Sequence, residues 1–156
     1  MSAVRATFDG RPDDVGFFDP LADEMNAHAE RYEILGDLDL VLGIVMTRPA
    51  GDRFRARLAF EGVRCTGVSA MAAGEEATTD CWLEGSLDAW DAMFADIVAH
   101  GHATGRHTIN SLTMMGDEIR LCGVDVMGVD KFSRFNQSLQ EFFDGAARVS
   151  SASASA

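Results

Sequence analysis

Large apolar residues recur at helical spacing near the end of the chain. Within residues 130–144 they fall at i, i+3, i+7, i+10 and i+11, and they are Phe132, Phe135, Leu139, Phe142 and Phe143. This spacing puts them on one face of an α-helix. Asp130 is a suitable N-cap residue, and Gly145 stands where a left-handed C-cap is expected. The pattern predicts an amphipathic helix over residues 130–144 with an almost entirely aromatic face.

A second stripe with the same spacing follows Ser86, and its members are Leu87, Trp90, Phe94, Ile97 and Val98. Ser86 is a favourable N-cap, and Gly101 is a typical helix stop. A shorter stripe predicts a first helix over residues 21–35, and it consists of Leu21, Met25, His28, Tyr32 and Leu35. For this helix Asp19 is the expected cap, Pro20 the first helical residue and Gly36 the stop.

Strand patterns lie between these helices. Residues 40–47 form a short apolar run, and residues 54–60 alternate and connect through Glu61-Gly62 to residues 63–69, which predicts a hairpin. A fourth strand is predicted over residues 77–83, and a last strand or hairpin from residues 112–115 and 118–122. Residues 101–111 are predicted to be a polar loop. The fold class is therefore α+β, a mostly antiparallel sheet of about five strands with amphipathic helices covering one face around an apolar cavity.

The length, the net charge and the longest apolar run of the chain indicate its domain organisation and which partners are disfavoured. The 156 residues suit one domain, here residues 21–147, preceded by an N-terminal arm at 1–20 and followed by a disordered Ser/Ala tail at 148–156. The 13 basic and 25 acidic residues give a formal charge of −12, which disfavours nucleic acid as a partner. The longest apolar run, residues 40–46, is far shorter than the roughly 20 residues of a membrane span. We therefore expect no stable membrane insertion.

Candidate chemistry is sparse. Cys65, Cys81 and Cys122 are scattered and odd in number, which indicates reduced, buried thiols in a cytoplasmic protein. Three of the four histidines, His100, His102 and His107, cluster in the predicted loop, but their spacing matches no established zinc motif. No nucleotide-binding or nucleophile-elbow motif is present. We predict no catalytic residues, no metal site and no cofactor.

Residues 77–145 resemble the sterol carrier protein type 2 family, also called the sterol-binding domain. The resemblance lies in the segment WLEGSLDAW at residues 82–90, in GD at 116–117, in IRLCG at 119–123, and in the final helix. It implies a helix, a run of mostly antiparallel strands and covering helices around a hydrophobic tunnel. It also implies non-covalent carriage of a sterol, fatty acyl or other lipid-like molecule. The chain does not end in a peroxisomal tripeptide, which fits a bacterial-type cytoplasmic protein.

Aromatic and Met side chains suit such a cavity because they offer large, adaptable contact area. The residues predicted to line it are Trp90, Phe94, Ile97, Met114, Met115, Phe132, Phe135 and Leu139. Asn136 and Gln137, with Arg134, are candidates for holding a polar head group.

Three alternatives stay open at the level of sequence. The stripes can simply pack on the sheet and leave no cavity. The protein can be a small cone-shaped isomerase or cyclase that acts on an apolar substrate through an Asp/His pair, with its carboxylate drawn from Asp80, Asp96, Asp117 and Asp125. The aromatic stripe can instead bury against a partner protein or a second copy in a homodimer.

Overall fold

The computed structural model describes residues 11–115 and 118–155, with side chains described through residue 150. Five helices of α type occur in this part of the chain: α1 (Asp19–Ala27), α2 (Glu30–Glu33), α3 (Leu87–His100), α4 (Ile109–Met114) and α5 (Val126–Ser155). The strands are β1 (Leu38–Thr47), β2 (Arg53–Gly62), β3 (Arg64–Ala70), β4 (Cys81–Ser86) and β5 (Ile119–Cys122). Short 3-10 turns lie at Val15–Phe17, Glu75–Thr78 and Gly105–His107.

The five strands form one sheet in the order β3-β2-β1-β4-β5. The β1–β4 pair is parallel and the other three pairs are antiparallel, so the predicted α+β class with a mostly antiparallel sheet is confirmed. Leu40, Leu42 and Ile44 of β1 are fully buried beneath the helices. The opposite face carries Arg53 and Arg57 of β2, because successive side chains alternate across a strand.

The predicted hairpin is confirmed, with β2 paired to β3. Gly62 has φ +64°, a left-handed conformation that a residue without Cβ adopts at no steric cost. A register shift between Ala59 and Phe60 marks a bulge in this pair.

The first predicted helix is divided in two. It begins at Asp19 and not at Leu21, so Phe18 occupies the N-cap position that the sequence assigned to Asp19. Pro20, which was predicted to be the first helical residue, is therefore the second. The backbone leaves helical geometry at His28, where φ is −130° and ψ is 48°. The stop at Gly36 is confirmed, because Gly36 has φ +97° and donates its N–H to the Tyr32 carbonyl.

Helix α3 matches its prediction at both ends. The Ser86 hydroxyl accepts a hydrogen bond from the Ala89 N–H at 3.1 Å, and Gly101 ends the helix with φ +87°. The buried residues of this helix differ from the predicted apolar stripe at one position. Met93 is fully buried, whereas Val98 is 43% exposed.

The segment from residue 101 to residue 115 departs from its prediction as a loop followed by a strand. Residues 109–114 form helix α4, and the Thr108 hydroxyl accepts from the Ser111 N–H at 3.2 Å as an N-cap. Ile109 and Leu112, three residues apart, are its buried positions. Only the second half of the predicted final pair forms a strand, β5. Gly116 and Asp117, which the resemblance includes, lie outside the described residues.

Both predicted ends of the final helix were wrong. Helix α5 begins at Val126, four residues before Asp130, with the Asp125 carboxylate accepting from the Met127 N–H at 2.8 Å. It continues through Gly145, which lies close to the side chain of Glu24 in α1 and does not end the helix. The helix reaches Ser155, into the stretch predicted as a disordered tail.

The N-terminal arm is described from residue 11 onward. Phe17 and Phe18 of this arm are buried in the hydrophobic core. The predicted division into arm, domain and tail stays a prediction. No helix within the described residues is long and apolar enough to cross a membrane.

Candidate functional site

Aromatic side chains from the arm, the sheet and two helices meet on the covered face of the sheet. We call this set the aromatic layer, and its members are Phe17, Phe18, Phe60, Trp90, Phe94, Phe142 and Phe143, all buried. The rings of Trp90 and Phe143 meet edge to face with centroids 6.0 Å apart, which joins α3 to α5. Phe17 contacts Phe94 at 4.8 Å. Each such pair contributes about 0.5–1.5 kcal/mol beyond its buried area.

The structure brings together most of the residues predicted to line a ligand cavity. Trp90, Phe94, Ile97, Phe132 and Leu139 are buried between the helices and the sheet. Phe135 packs against the core from its edge, under the Arg134 guanidinium, which lies 5.2 Å from its ring centroid. Met114 and Met115 are 75% and 67% exposed and lie apart from this set. The ligand-lining role of all eight residues stays a prediction.

Several members of the aromatic layer are absent from the predicted lining. Phe142 and Phe143 lie on the same helical stripe as Phe132, so their spacing was a sufficient signal. Phe17 and Phe18 gave a weaker signal, a pair of adjacent aromatic residues in an otherwise polar arm.

Two buried polar atoms have no hydrogen-bond partner among the described residues. They are the indole Nε1 of Trp90 and the hydroxyl of Tyr32, and both side chains are fully buried. A buried donor without a partner costs about 1–3 kcal/mol relative to its solvated state. The second tryptophan differs, because Trp82 Nε1 donates to Glu84 Oε1 at 3.2 Å on the other face of the sheet.

Tyr32 lies beside a charged cluster that joins α1 and α2 to α5. Glu24 accepts hydrogen bonds from both Arg31 and Arg148, the latter at 2.6 Å. Burial raises the pKa of the Tyr32 hydroxyl above its usual value. Tyr32 is therefore a neutral phenol at physiological pH.

The connection between α3 and α4 is tied down by two carboxylates and one amide. Asp144 Oδ1 accepts from the Ala103 N–H at 3.0 Å, and Asp96 accepts from the N–H and hydroxyl of Thr104 at 2.6 and 2.9 Å. Gln140 Oε1 accepts from the Ile109 N–H at 2.7 Å and thereby fixes the start of α4.

These two carboxylates have opposite pKa shifts. Burial raises the pKa of Asp144 and outweighs its hydrogen bonds. Burial acts in the same direction on Asp96, but the hydrogen bonds from Thr104 together with the neighbouring His107 and His100 outweigh it, so the pKa of Asp96 is lowered.

The histidine cluster lies at the surface, at the end of α3. His100 Nδ1 is 3.0 Å and His107 Nδ1 3.8 Å from Asp96 Oδ1. Within the described residues no group of three or more His, Cys, Asp or Glu side chains has a geometry that could hold a metal ion.

The alternative of an Asp/His enzyme gains no support from the described residues. The buried polar residues there are Thr79 and Ser138, so neither a carboxylate nor an imidazole is buried in the aromatic layer. Asp80 accepts from the Val41 N–H at 2.8 Å, and Asp125 caps α5. The fourth candidate, Asp117, lies outside the described residues.

Two hollows on the surface have linings that mix polar and apolar groups. One of about 400 Å³ lies along α5 and is lined by Leu35, Thr108, Asn110, Asn136, Gln137, Gln140, Glu141 and Asp144. Asn136 and Gln137, the candidate head-group residues, lie here, while Arg134 is directed to Asp130 at 3.5 Å. The other hollow, of about 420 Å³, includes Asp80, Met127 and Lys131 near the start of α5.

The three cysteines are free thiols. Burial raises the pKa of Cys65 to about 11 and that of Cys81 to about 12, so both are protonated at neutral pH. Cys122 is partly exposed, and its pKa is also raised, mainly by burial.

No known family model matches the sequence, and no curated protein sequence matches it. Two solved structures do share its architecture. A crystal structure of sterol carrier protein 2 has a TM-score of 0.64 at 15% identity over 88% of this chain and 98% of its own. The solution structure of a conserved hypothetical protein from Thermus thermophilus, described as a possible sterol carrier protein, has a TM-score of 0.58 at 20% identity over 85% of each chain. The arrangement of five strands and covering helices is therefore the fold of sterol carrier protein 2.

Proposed function

We propose that the protein binds and carries a hydrophobic small molecule, such as a sterol, a fatty acyl compound or another lipid-like ligand. The observation that carries the proposal is the aromatic layer, which lies between the sheet and helices α3 and α5 of a sterol carrier protein 2 fold. Apolar sites with few polar groups are how proteins hold such ligands.

The ligand enters between α3 and α5 in this proposal. The rings of the two helices meet directly, at 6.0 Å for Trp90 and Phe143 and 5.9 Å for Phe94 and Phe143, so a ligand has to displace them. The segment that crosses this interface is held by the hydrogen bonds of Ala103, Thr104 and Ile109 described above. A surface segment held by a few hydrogen bonds opens locally at a much lower free-energy cost than a strand of the core.

Titration with Nile red, an uncharged apolar dye, tests the proposal. We expect saturable binding, a blue shift of the dye emission, and competition by cholesterol or a fatty alcohol. Phe94→Leu should weaken the binding several-fold, whereas Ile34→Ala, at a position that is 88% exposed, should leave it unchanged. A linear, unsaturable response in the wild-type protein would contradict the proposal.

Carriage, as opposed to storage, has a separate test. A carrier should accelerate the transfer of the fluorescent sterol dehydroergosterol between neutral phosphatidylcholine vesicles in proportion to protein concentration. Neutral vesicles are chosen because the formal charge of −12 repels anionic surfaces. Binding without acceleration would leave a binding protein that does not carry its ligand.

The three free cysteines support a reducing compartment such as the cytoplasm.

A further inference from the structure

We propose that Trp90 selects the ligand by donating a hydrogen bond from its indole Nε1 to a neutral oxygen of the bound molecule. The ligand class is then an apolar molecule with a hydroxyl or carbonyl group held inside the protein, and not a free carboxylate or a plain hydrocarbon. This inference rests on the proposed function and specifies the chemistry of the same site.

Within the aromatic layer, Trp90 is the residue with a buried hydrogen-bond donor that lacks a partner among the described residues. Trp90 is fully buried between α3 and α5, and its Nε1 has no hydrogen-bond partner among the described residues. Its nearest aromatic neighbours are Phe94 and Phe143, which offer no oxygen or nitrogen acceptor. A ligand that displaces one of these rings brings its own atoms next to the indole, and an acceptor oxygen there would complete the unmade hydrogen bond.

The surroundings exclude a charged acceptor. No Lys, Arg or His is buried among the described residues, whose buried polar members are Thr79 and Ser138. A carboxylate that moved into this layer would lose its hydration and gain a single hydrogen bond from a neutral donor. That hydrogen bond does not compensate the free energy of desolvation. A hydrocarbon is uncharged, as the layer requires, but it leaves the indole N–H unpaired. A hydroxyl or carbonyl oxygen is uncharged and also accepts the hydrogen bond from the indole N–H.

Competition against Nile red with three ligands of equal chain length tests this inference. These are 1-decanol, decanoic acid at pH 8, and 1-chlorodecane, whose chlorine is a poor hydrogen-bond acceptor. For the wild-type protein we expect 1-decanol to bind about fivefold more tightly than 1-chlorodecane, the factor that one net hydrogen bond of about 1 kcal/mol contributes. Decanoate should bind more weakly than the alcohol.

Trp90→Phe should abolish the preference for 1-decanol over 1-chlorodecane, because phenylalanine keeps an aromatic ring and loses the donor. Trp82→Phe is the matched control and should keep the full preference, since Trp82 Nε1 is paired with Glu84 on the other face of the sheet. Tyr32→Phe removes the second unpaired group and should also keep it. A preference that survives in Trp90→Phe, or disappears in Tyr32→Phe, would overturn the inference.

The nuclear magnetic resonance signal of the Trp90 indole N–H tests the same hydrogen bond in the wild-type protein, so the test does not depend on Trp90→Phe folding. In ¹⁵N-labelled wild-type protein, the indole N–H signal of Trp90, assigned with Trp82→Phe, should move downfield when 1-decanol binds and stay near its free position with 1-chlorodecane. Equal shifts with both ligands would overturn the inference while leaving the proposed function intact. If instead Nile red fails to bind wild-type protein and Trp82→Phe alike, the proposed function itself fails.

Discussion

The rings of Phe60 and Phe142 meet edge to face, with centroids 5.1 Å apart and planes at 88°. This contact joins β2 directly to α5, so the sheet and its longest covering helix share one core. Both side chains are buried, and Phe142 is completely so.

The Phe60–Phe142 contact predicts a large stability difference between two positions of α5. Phe142→Ala should lower the free energy of unfolding by about 3–5 kcal/mol, because it removes a fully buried ring and leaves a cavity. Phe135→Ala is the matched control, since Phe135 lies at the edge of the core, and its loss should be clearly smaller. Urea unfolding followed by circular dichroism measures both. Equal losses would contradict the placement of these two rings.

Two buried glycines of α5 should respond differently to alanine. A Cβ at Gly128 would lie 2.0 Å from the Asp80 carbonyl oxygen, a backbone atom that cannot move aside, so Gly128→Ala should cost roughly 1–3 kcal/mol or more. At Gly145 the nearest atom is Glu24 Cγ at 3.4 Å, an ordinary contact with a side chain. Alanine also gains up to about 1 kcal/mol of helix propensity over glycine. Gly145→Ala should therefore be close to neutral in the same unfolding experiment.

Asp144 and Asp96 should contribute to stability with opposite signs. The pKa of Asp144 is raised on folding, mainly by burial, so its ionisation destabilises the folded state. Asp144→Asn should therefore raise the urea midpoint at pH 7. The gain should shrink as the pH falls through the raised folded pKa, and it should vanish below the unfolded value of about 3.9.

Asp96 has a lowered pKa, so its carboxylate stabilises the fold at pH values above the unfolded pKa. Asp96→Asn should lower the urea midpoint at pH 7, and the difference from wild type should diminish as the pH falls through the folded pKa. Unfolding at pH 7, 5 and 3.5 distinguishes the two aspartates. A midpoint change of the same sign for both would contradict their assigned environments.

Thiol accessibility should single out Cys122. Cys65 and Cys81 are buried with raised pKa values, whereas Cys122 is partly exposed at the end of β5. With Ellman's reagent at pH 8, one thiol of the native protein should react well before the other two, and Cys122→Ser should remove that fast phase. In urea all three thiols should react. A fast phase that persists in Cys122→Ser would show that one of the buried thiols is accessible.

Local signals in the sequence predicted the elements that depend on neighbouring residues. The cap at Ser86, the stops at Gly36 and Gly101, and the turn at Gly62 all follow from backbone chemistry within a few residues. The prediction failed where a distant segment decides the outcome. Gly145 looks like a helix end, but α5 continues through it to Ser155, and there it packs beside Glu24 of α1.

Among the residues predicted to line a cavity, local spacing predicted burial for some, and tertiary contacts determined the exposure of others. Helical spacing was sufficient to place Trp90, Phe94 and Leu139 on buried faces, because periodicity alone selects a face. Met114 and Met115 were included because Met side chains offer adaptable contact area. Both are exposed, since the buried positions of the helix at residues 109–114 are Ile109 and Leu112, and their ligand-lining role stays a prediction.

Hydrophobic periodicity and capping residues are sufficient to predict an α+β protein in which two helices with aromatic faces pack on a sheet. They do not predict that β1 and β4 pair in parallel, that Phe17 and Phe18 complete the aromatic layer, or that the indole N–H of Trp90 is buried without a partner among the described residues. These three features depend on which residues meet across long sequence separations. Hydrophobic periodicity specifies which face of an element is buried, but it contains no information about what that face will contact.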